Sequence, residues 1–117
     1  MDVADVEAVK AAIQPNTRLI RLETPTNPVL ALADIAPIAA IRPAGVLLGV
    51  DNTFASPWNQ RPLELGADIV MHSTTKYLGG HSDVVGGALV VNDSALYDQL
   101  KFLQNAIGAV PGPNDCF

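Results

Sequence analysis

Three hydroxyl residues run directly into a lysine in Ser73-Thr74-Thr75-Lys76, and Tyr77 and the pair Gly79-Gly80 follow. An ordinary turn needs Gly, Asn or Asp for backbone geometry and has no use for hydroxyls crowded against an amine. A lysine at the end of a buried apolar run loses hydration, which favours the free amine as nucleophile, base or Schiff-base partner. Ser73 and Thr75 offer hydroxyl donors to an anion, and loop amides can complete such a cradle without a cluster of cations. Asp51 ends a separate apolar run, "GVLLGVD", where a carboxylate can hold a protonated heterocyclic nitrogen.

An amine that forms a Schiff base, donors for a phosphate and a carboxylate for a pyridinium nitrogen are together what a protein uses to hold pyridoxal phosphate. Each residue also has an ordinary role open to it. A lone lysine in a glycine-containing loop is usually solvated. Asp51, followed by Asn52, can hydrogen-bond its own backbone in a turn. Ser73 and Thr75 can cap a helix, and Asn27, between Thr26 and Pro28, can be a plain loop residue. Ser73 to Lys76 also fits S-x-x-K, the nucleophile motif of penicillin-recognising serine hydrolases, but its S-D-N and K-T-G partners are missing. His72, His81 and Asp83 lack the tight spacing of metal ligands. The glycines of "LGGHSDVVGG" are not followed by the lysine of a Walker loop.

The elements that must position these groups follow from the patterning. Val3, Val6 and Ile13, with Ala11 and Ala12, predict an amphipathic helix over the first dozen residues, stopped at Pro15-Asn16. "TRLIRLE" reads as a strand, and "TPTNP" as a stiff, extended loop at its carboxyl end. A helix is expected from Asp34 to Ile41, with Pro37 in its first turn. "GVLLGVD" and "ADIVMHS" read as strands buried in a parallel sheet, and "GGALVVN" as a further strand. The stretch "TFASPWNQRPLELG" between them is a loop with one helical turn. Ser94 is the expected N-cap of a helix running to about Asn105, and "GAVPGPND" is loop. Strands alternating with helices give an α/β fold with a mostly parallel sheet. Ligands of such sheets bind beyond the strands' carboxyl ends, where Glu23, Asp51 and Ser73 to Lys76 fall.

The composition bears on partners. Of the 117 residues 49% are hydrophobic and only 16% charged, against about 25% charged in an average domain. A domain this small should be rich in charge, so part of its exterior is expected to be covered, by more chain or by an oligomer. The net charge is −5, with 12 acidic and 7 scattered basic residues. That argues against a nucleic-acid partner, which requires clustered Lys and Arg. The acidic start and the absence of a long apolar run argue against a signal peptide or membrane span and predict a cytoplasmic location. Cys116 is the only cysteine, so no intrachain disulfide can form.

The run from Asp51 to Gly87, "DNTFASPWNQRPLELGADIVMHSTTKYLGGHSDVVGG", is preceded by "ETPTNP" and followed by "QNAIGAVPGPNDCF". Together these closely resemble the Cys/Met-metabolism pyridoxal-phosphate enzymes, the cystathionine γ-synthase and γ-lyase relatives, in several motifs in the family's order. The resemblance implies that Lys76 forms the Schiff base with pyridoxal 5'-phosphate and later shuttles protons. It implies that Ser73 and Thr75 bind the phosphate, that Asp51 keeps the pyridine nitrogen protonated, and that Asn27 hydrogen-bonds the ring's phenolic oxygen. Thr53 falls near the ring and Glu23 near the pocket. The implied fold is the large domain of a fold-type I, aspartate aminotransferase-like enzyme.

Enzymes of this family are longer. They carry an upstream Gly-Met pair at the phosphate, a tyrosine stacked on the ring, a Tyr/Arg pair from the neighbouring subunit and a C-terminal domain whose arginine grips the substrate carboxylate. None of these has a counterpart here, so residues 1–117 are expected to be the middle of the large cofactor-binding domain, inactive alone. The implied activity of the complete enzyme is β- or γ-elimination or γ-replacement on sulfur amino acids or activated homoserine, in a homotetramer. The alternative is a non-catalytic remnant that binds cofactor or offers only an interaction surface.

Overall fold

The structure, a computed structural model, describes residues 2–116; Met1 and Phe117, the two ends of the 1–117 assignment, lie outside the described residues. Helix α1 (Val6–Ala12) begins at Asp5, whose side chain accepts from the Glu7 and Ala8 amides and so satisfies two donors that the first turn leaves free. Strand β1 (Leu19–Glu23) follows, then α2 (Ile35–Ile41) and β2 (Leu47–Asp51). Pro37 lies in the first turn of α2, where its missing N–H has no partner to lose. Short α3 (Ser56–Asn59) and a 3-10 turn (Pro62–Leu65) lead to β3 (Ile69–Ser73). Strand β4 (Gly87–Val90), α4 (Ser94–Ile107) and a 3-10 turn (Pro113–Cys116), which takes up the end of the stretch expected to be loop, complete the order.

The four strands form one sheet in the order β1-β2-β3-β4. The first three are parallel and β4 is antiparallel to β3, so the α/β architecture with a mostly parallel sheet is as expected. Side chains alternate between the two faces of a strand. Leu22, Leu48 and Val50 point to the face covered by α1 and α2, where they pack with Val9, Ile35 and Ile38. Burying each such side chain contributes about 1.5–3 kcal/mol. The other face carries Leu19, half exposed, and Leu89, and no described helix lies on it.

Four other expectations change. The N-cap of α4 is Asp93, which accepts from the Leu96 amide at 2.7 Å, and Ser94 becomes the first helical residue. Asp93 has the extended backbone of a cap residue, and the helix starts after it. The "TPTNP" loop is not extended but closes on itself: the Leu30 amide donates to Thr26 O at 2.8 Å, and the Thr26 amide to Ala31 O at 3.0 Å. Prolines remove donors, and the remaining amides close the turn. The stretch after Asp51 holds both α3 and the 3-10 turn rather than one turn. Finally, β3 alternates between buried and partly exposed residues instead of being buried throughout. The apolar excess of the sequence lies largely on surfaces this chain leaves open, since α4 buries no residue and Trp58 is 92% exposed.

Candidate active site

Strands β1, β2 and β3 end on Glu23, Asp51 and Ser73, and the parallel register sets Glu23 beside Asp51 and Asp51 beside Met71. These ends open onto a cleft of about 710 Å³. Glu23, Asn27, Asp51, Thr53, Ser73, Thr75 and Lys76 all line it, so the structure brings together every residue singled out above for this site. Phe54, Tyr77, Gly80 and the run from Ser82 to Val85 contribute the rest of the wall.

Hydrogen bonds fix most of this rim. Asp51 is nearly buried, with 12% of its side chain exposed. Its Oδ1 accepts from the Thr53 amide at 3.1 Å, and its Oδ2 from Arg21 Nη2 at 3.3 Å. Thr53 Oγ1 accepts from the Ser73 amide at 2.8 Å, joining the ends of β2 and β3. Glu23 Oε1 accepts from the Asn27 amide at 3.2 Å, which ties the loop after β1 to its own strand.

After β3 the chain makes a wide, π-type turn, Thr74–Leu78, broken at Lys76, whose φ of −92° and ψ of −121° are not helical. The Gly79 amide donates to Thr74 O and the Gly80 amide to Lys76 O, both at 2.7 Å. A Cβ at Gly79 would sit 2.6 Å from Thr74 O, so the turn closes this tightly only around glycine. Gly86 holds the turn from the other side: its carbonyl accepts from the Thr74 amide at 3.0 Å and its amide donates to Thr75 Oγ1 at 2.9 Å. The Thr75 hydroxyl donates back to Gly86 O at 3.3 Å, so serving an anion requires that proton to turn toward the cleft. Lys76 is exposed, and the desolvation expected from its place after an apolar strand is not supplied by the described residues.

His72 points away from this cleft, on the α-covered face, and lines a second cavity of about 320 Å³ with Asn52, Gln60, Val70 and Leu78. His81 is exposed and its Nδ1 lies 2.8 Å from Gly79 O. Among the described residues no group of His, Cys, Asp or Glu is arranged to hold a metal. Burial lowers the His72 imidazole from its ordinary 6.5, and the Asp51 charge opposes that shift. The folded chain therefore gives up this proton more readily than the unfolded one. The stability this represents is complete above about pH 6.5 and is lost as pH falls through the folded value. An NMR titration of the His72 ring in the folded protein is expected to show a midpoint below 6.5; one at or above 6.5 would contradict the burial argument.

Three positioning residues had no sequence signal. Asn52, only 1% exposed, donates through Nδ2 to Gln60 O at 2.8 Å. Gln60 Nε2 answers with bonds to Asn52 Oδ1 at 2.9 Å and Thr24 O at 3.0 Å, clamping the loop after β2 against the end of β1. Arg21 is the third, and only strand register reveals that it reaches Asp51.

Residues 1–117 match the family described as Cys/Met metabolism PLP-dependent enzyme. The chain belongs to this family. It is 68% identical over 118 aligned residues to a "probable cystathionine gamma-synthase" of Herpetosiphon aurantiacus, covering 100% of this chain and 37% of the relative. The cystathionine gamma-synthase of Mycobacterium tuberculosis is 64% identical over 98% of this chain and 30% of its own length. The crystal structure of cystathionine gamma-lyase from Lactobacillus plantarum complexed with L-serine superposes with a TM-score of 0.95 at 53% identity, over 98% of this chain and 30% of that one. The chain thus spans about a third of the length of the curated relatives it matches.

The residues present fit pyridoxal phosphate, the cofactor the family's description names. A fixed carboxylate, a primary amine and two hydroxyls face one cleft, and its volume is in the range of cofactor sites. Its charged lining is Glu23, Asp51 and Asp83 against Lys76. A phosphate there would rely on hydroxyl and amide donors more than on net charge.

Proposed function

We propose that this segment is part of a large cofactor-binding domain and supplies the cofactor anchor of an enzyme for transsulfuration chemistry. The reaction is β- or γ-elimination, or γ-replacement, on sulfur amino acids or activated homoserine. The observation that carries this reading is the convergence of Lys76, Asp51, Ser73, Thr75, Asn27 and Thr53 on one cleft at the sheet's carboxyl edge. The reading includes a small amino-acid substrate, a homo-oligomer and a cytoplasmic location; no described helix is long and apolar enough to cross a membrane.

When bound, pyridoxal phosphate supplies an electron sink for the carbanion formed on the substrate. Asp51, clamped at both oxygens by Arg21 and the Thr53 amide, would accept the ring nitrogen's N–H and keep that proton in place. Ser73 and Thr75 would donate to the phosphate, and Asn27 would donate to the phenolic oxygen. Thr53 holds the rim together through the Ser73 amide. Lys76 would hold the cofactor through Nζ, and its amine would be the group placed to move protons at the substrate carbons. General acid–base transfer by one positioned amine contributes about 10²–10⁴ in rate.

A graft tests the reading. Residues 1–117 replace the matching segment of the Mycobacterium tuberculosis relative, and cystathionine formation and α-keto acid release are assayed. Turnover within about tenfold of the parent is expected, a barrier change under about 1.4 kcal/mol. A folded graft that binds pyridoxal phosphate but does not turn over would support a non-catalytic remnant instead.

A further inference from the structure

We propose that Arg21 is a positioning residue for the cofactor's ring nitrogen, acting through Asp51; this rests on the reading above. The parallel register sets Arg21 beside Gly49 and Glu23 beside Asp51. Strand alternation puts all four residues on one face, the one that α1 and α2 leave uncovered. The Arg21 guanidinium places Nη2 3.3 Å from Asp51 Oδ2. Among the described residues no other cation pairs with Asp51.

Two consequences follow from this contact. The terminal torsion of an aspartate is broad, so a carboxylate held at one oxygen can still rotate. Here Oδ1 is held by the Thr53 amide and Oδ2 by Arg21, which selects one orientation of the carboxylate plane. Glu23 also lies directly across from Asp51, and the Arg21 charge offsets the repulsion between these neighbouring carboxylates. The Arg21 side chain is 57% exposed, so its pair with Asp51 contributes little to folding stability. What it does is aim the acceptor.

The test uses the graft with Arg21, Arg21→Leu and Arg21→Lys. Equilibrium binding is measured for pyridoxal phosphate and for its 1-deaza analogue, in which a C–H replaces the ring nitrogen. Arg21→Leu is expected to weaken pyridoxal phosphate about two- to fivefold, the range of an exposed ion pair. The analogue's affinity should not change, and Arg21→Lys should recover most of the loss. Equal weakening of both ligands would show a merely structural role and overturn the proposal, as would no change, or tighter binding of pyridoxal phosphate. If Arg21→Leu does not fold, Arg21→Gln carries the same expectation. A graft that binds neither ligand, or both equally with Arg21 intact, would instead remove the reading of the site and this inference with it.

Discussion

Replacing Lys76 by alanine in the graft is expected to lower turnover on the order of 10⁴-fold, the upper end of what one positioned acid–base group contributes. The expectation is this large because the proposed function gives the one amine two tasks, the covalent hold on the cofactor and the movement of protons during the reaction. Among the described residues no second lysine or arginine lines the cleft. Lys10 lies on α1 and pairs with Glu7, and Lys101 lies on α4 beside the Tyr97 ring. Cofactor retention should fall as well, leaving only contacts to the phosphate and ring. Steady-state rates with absorbance spectra of the dialysed protein check both effects, and turnover within tenfold of the unmutated graft would rule out Lys76 as the reacting amine.

Asp51→Ala is expected to act differently, with kcat falling about 10²–10³ and cofactor affinity falling much less. On the proposed reading the Lys76 anchor and the Ser73 and Thr75 hydroxyls would still hold the ligand, but the ring nitrogen would lose the acceptor that keeps its proton. Because Asp51 also accepts from the Thr53 amide and Arg21, alanine leaves those donors unpaired at a nearly buried site. Asp51→Asn keeps the shape and separates that structural cost from the loss of charge. The account predicts that Asn and Ala variants lose kcat to a similar extent. Near-normal turnover in either would show that another acid holds the ring nitrogen.

What could be read from sequence is what lies close together along the chain. Ser73 to Lys76 is contiguous, and Asp51 ends an apolar run, so strand ends and chemistry were legible together. The fold class followed from the alternation of apolar runs with helical stretches, and β1 to β4 all formed where such runs stand. The contacts that fix the site join distant residues and depend on register. Arg21 meets Asp51 across 30 positions and Gln60 meets Thr24 across 36, and no local pattern encodes either. The cap of α4 slipped by one because Asp93 and Ser94 are both good caps and only the backbone geometry selects between them. The burial expected for β3 and Lys76 was illegible for another reason. An apolar run signals a covered strand but not what covers it, and the described elements cover only one face of this sheet.

The central claim is that Lys76 is the residue that carries pyridoxal phosphate at the sheet's carboxyl edge. Borohydride reduction of the graft after loading with cofactor, followed by peptide mapping, tests it most directly, because reduction fixes a pyridoxyl group on whichever amine holds the cofactor. The account predicts the label on Lys76, in the peptide that spans Ser73 to Gly80. A label on Lys10 or Lys101, or a loaded protein with no labelled lysine in residues 1–117, would contradict it.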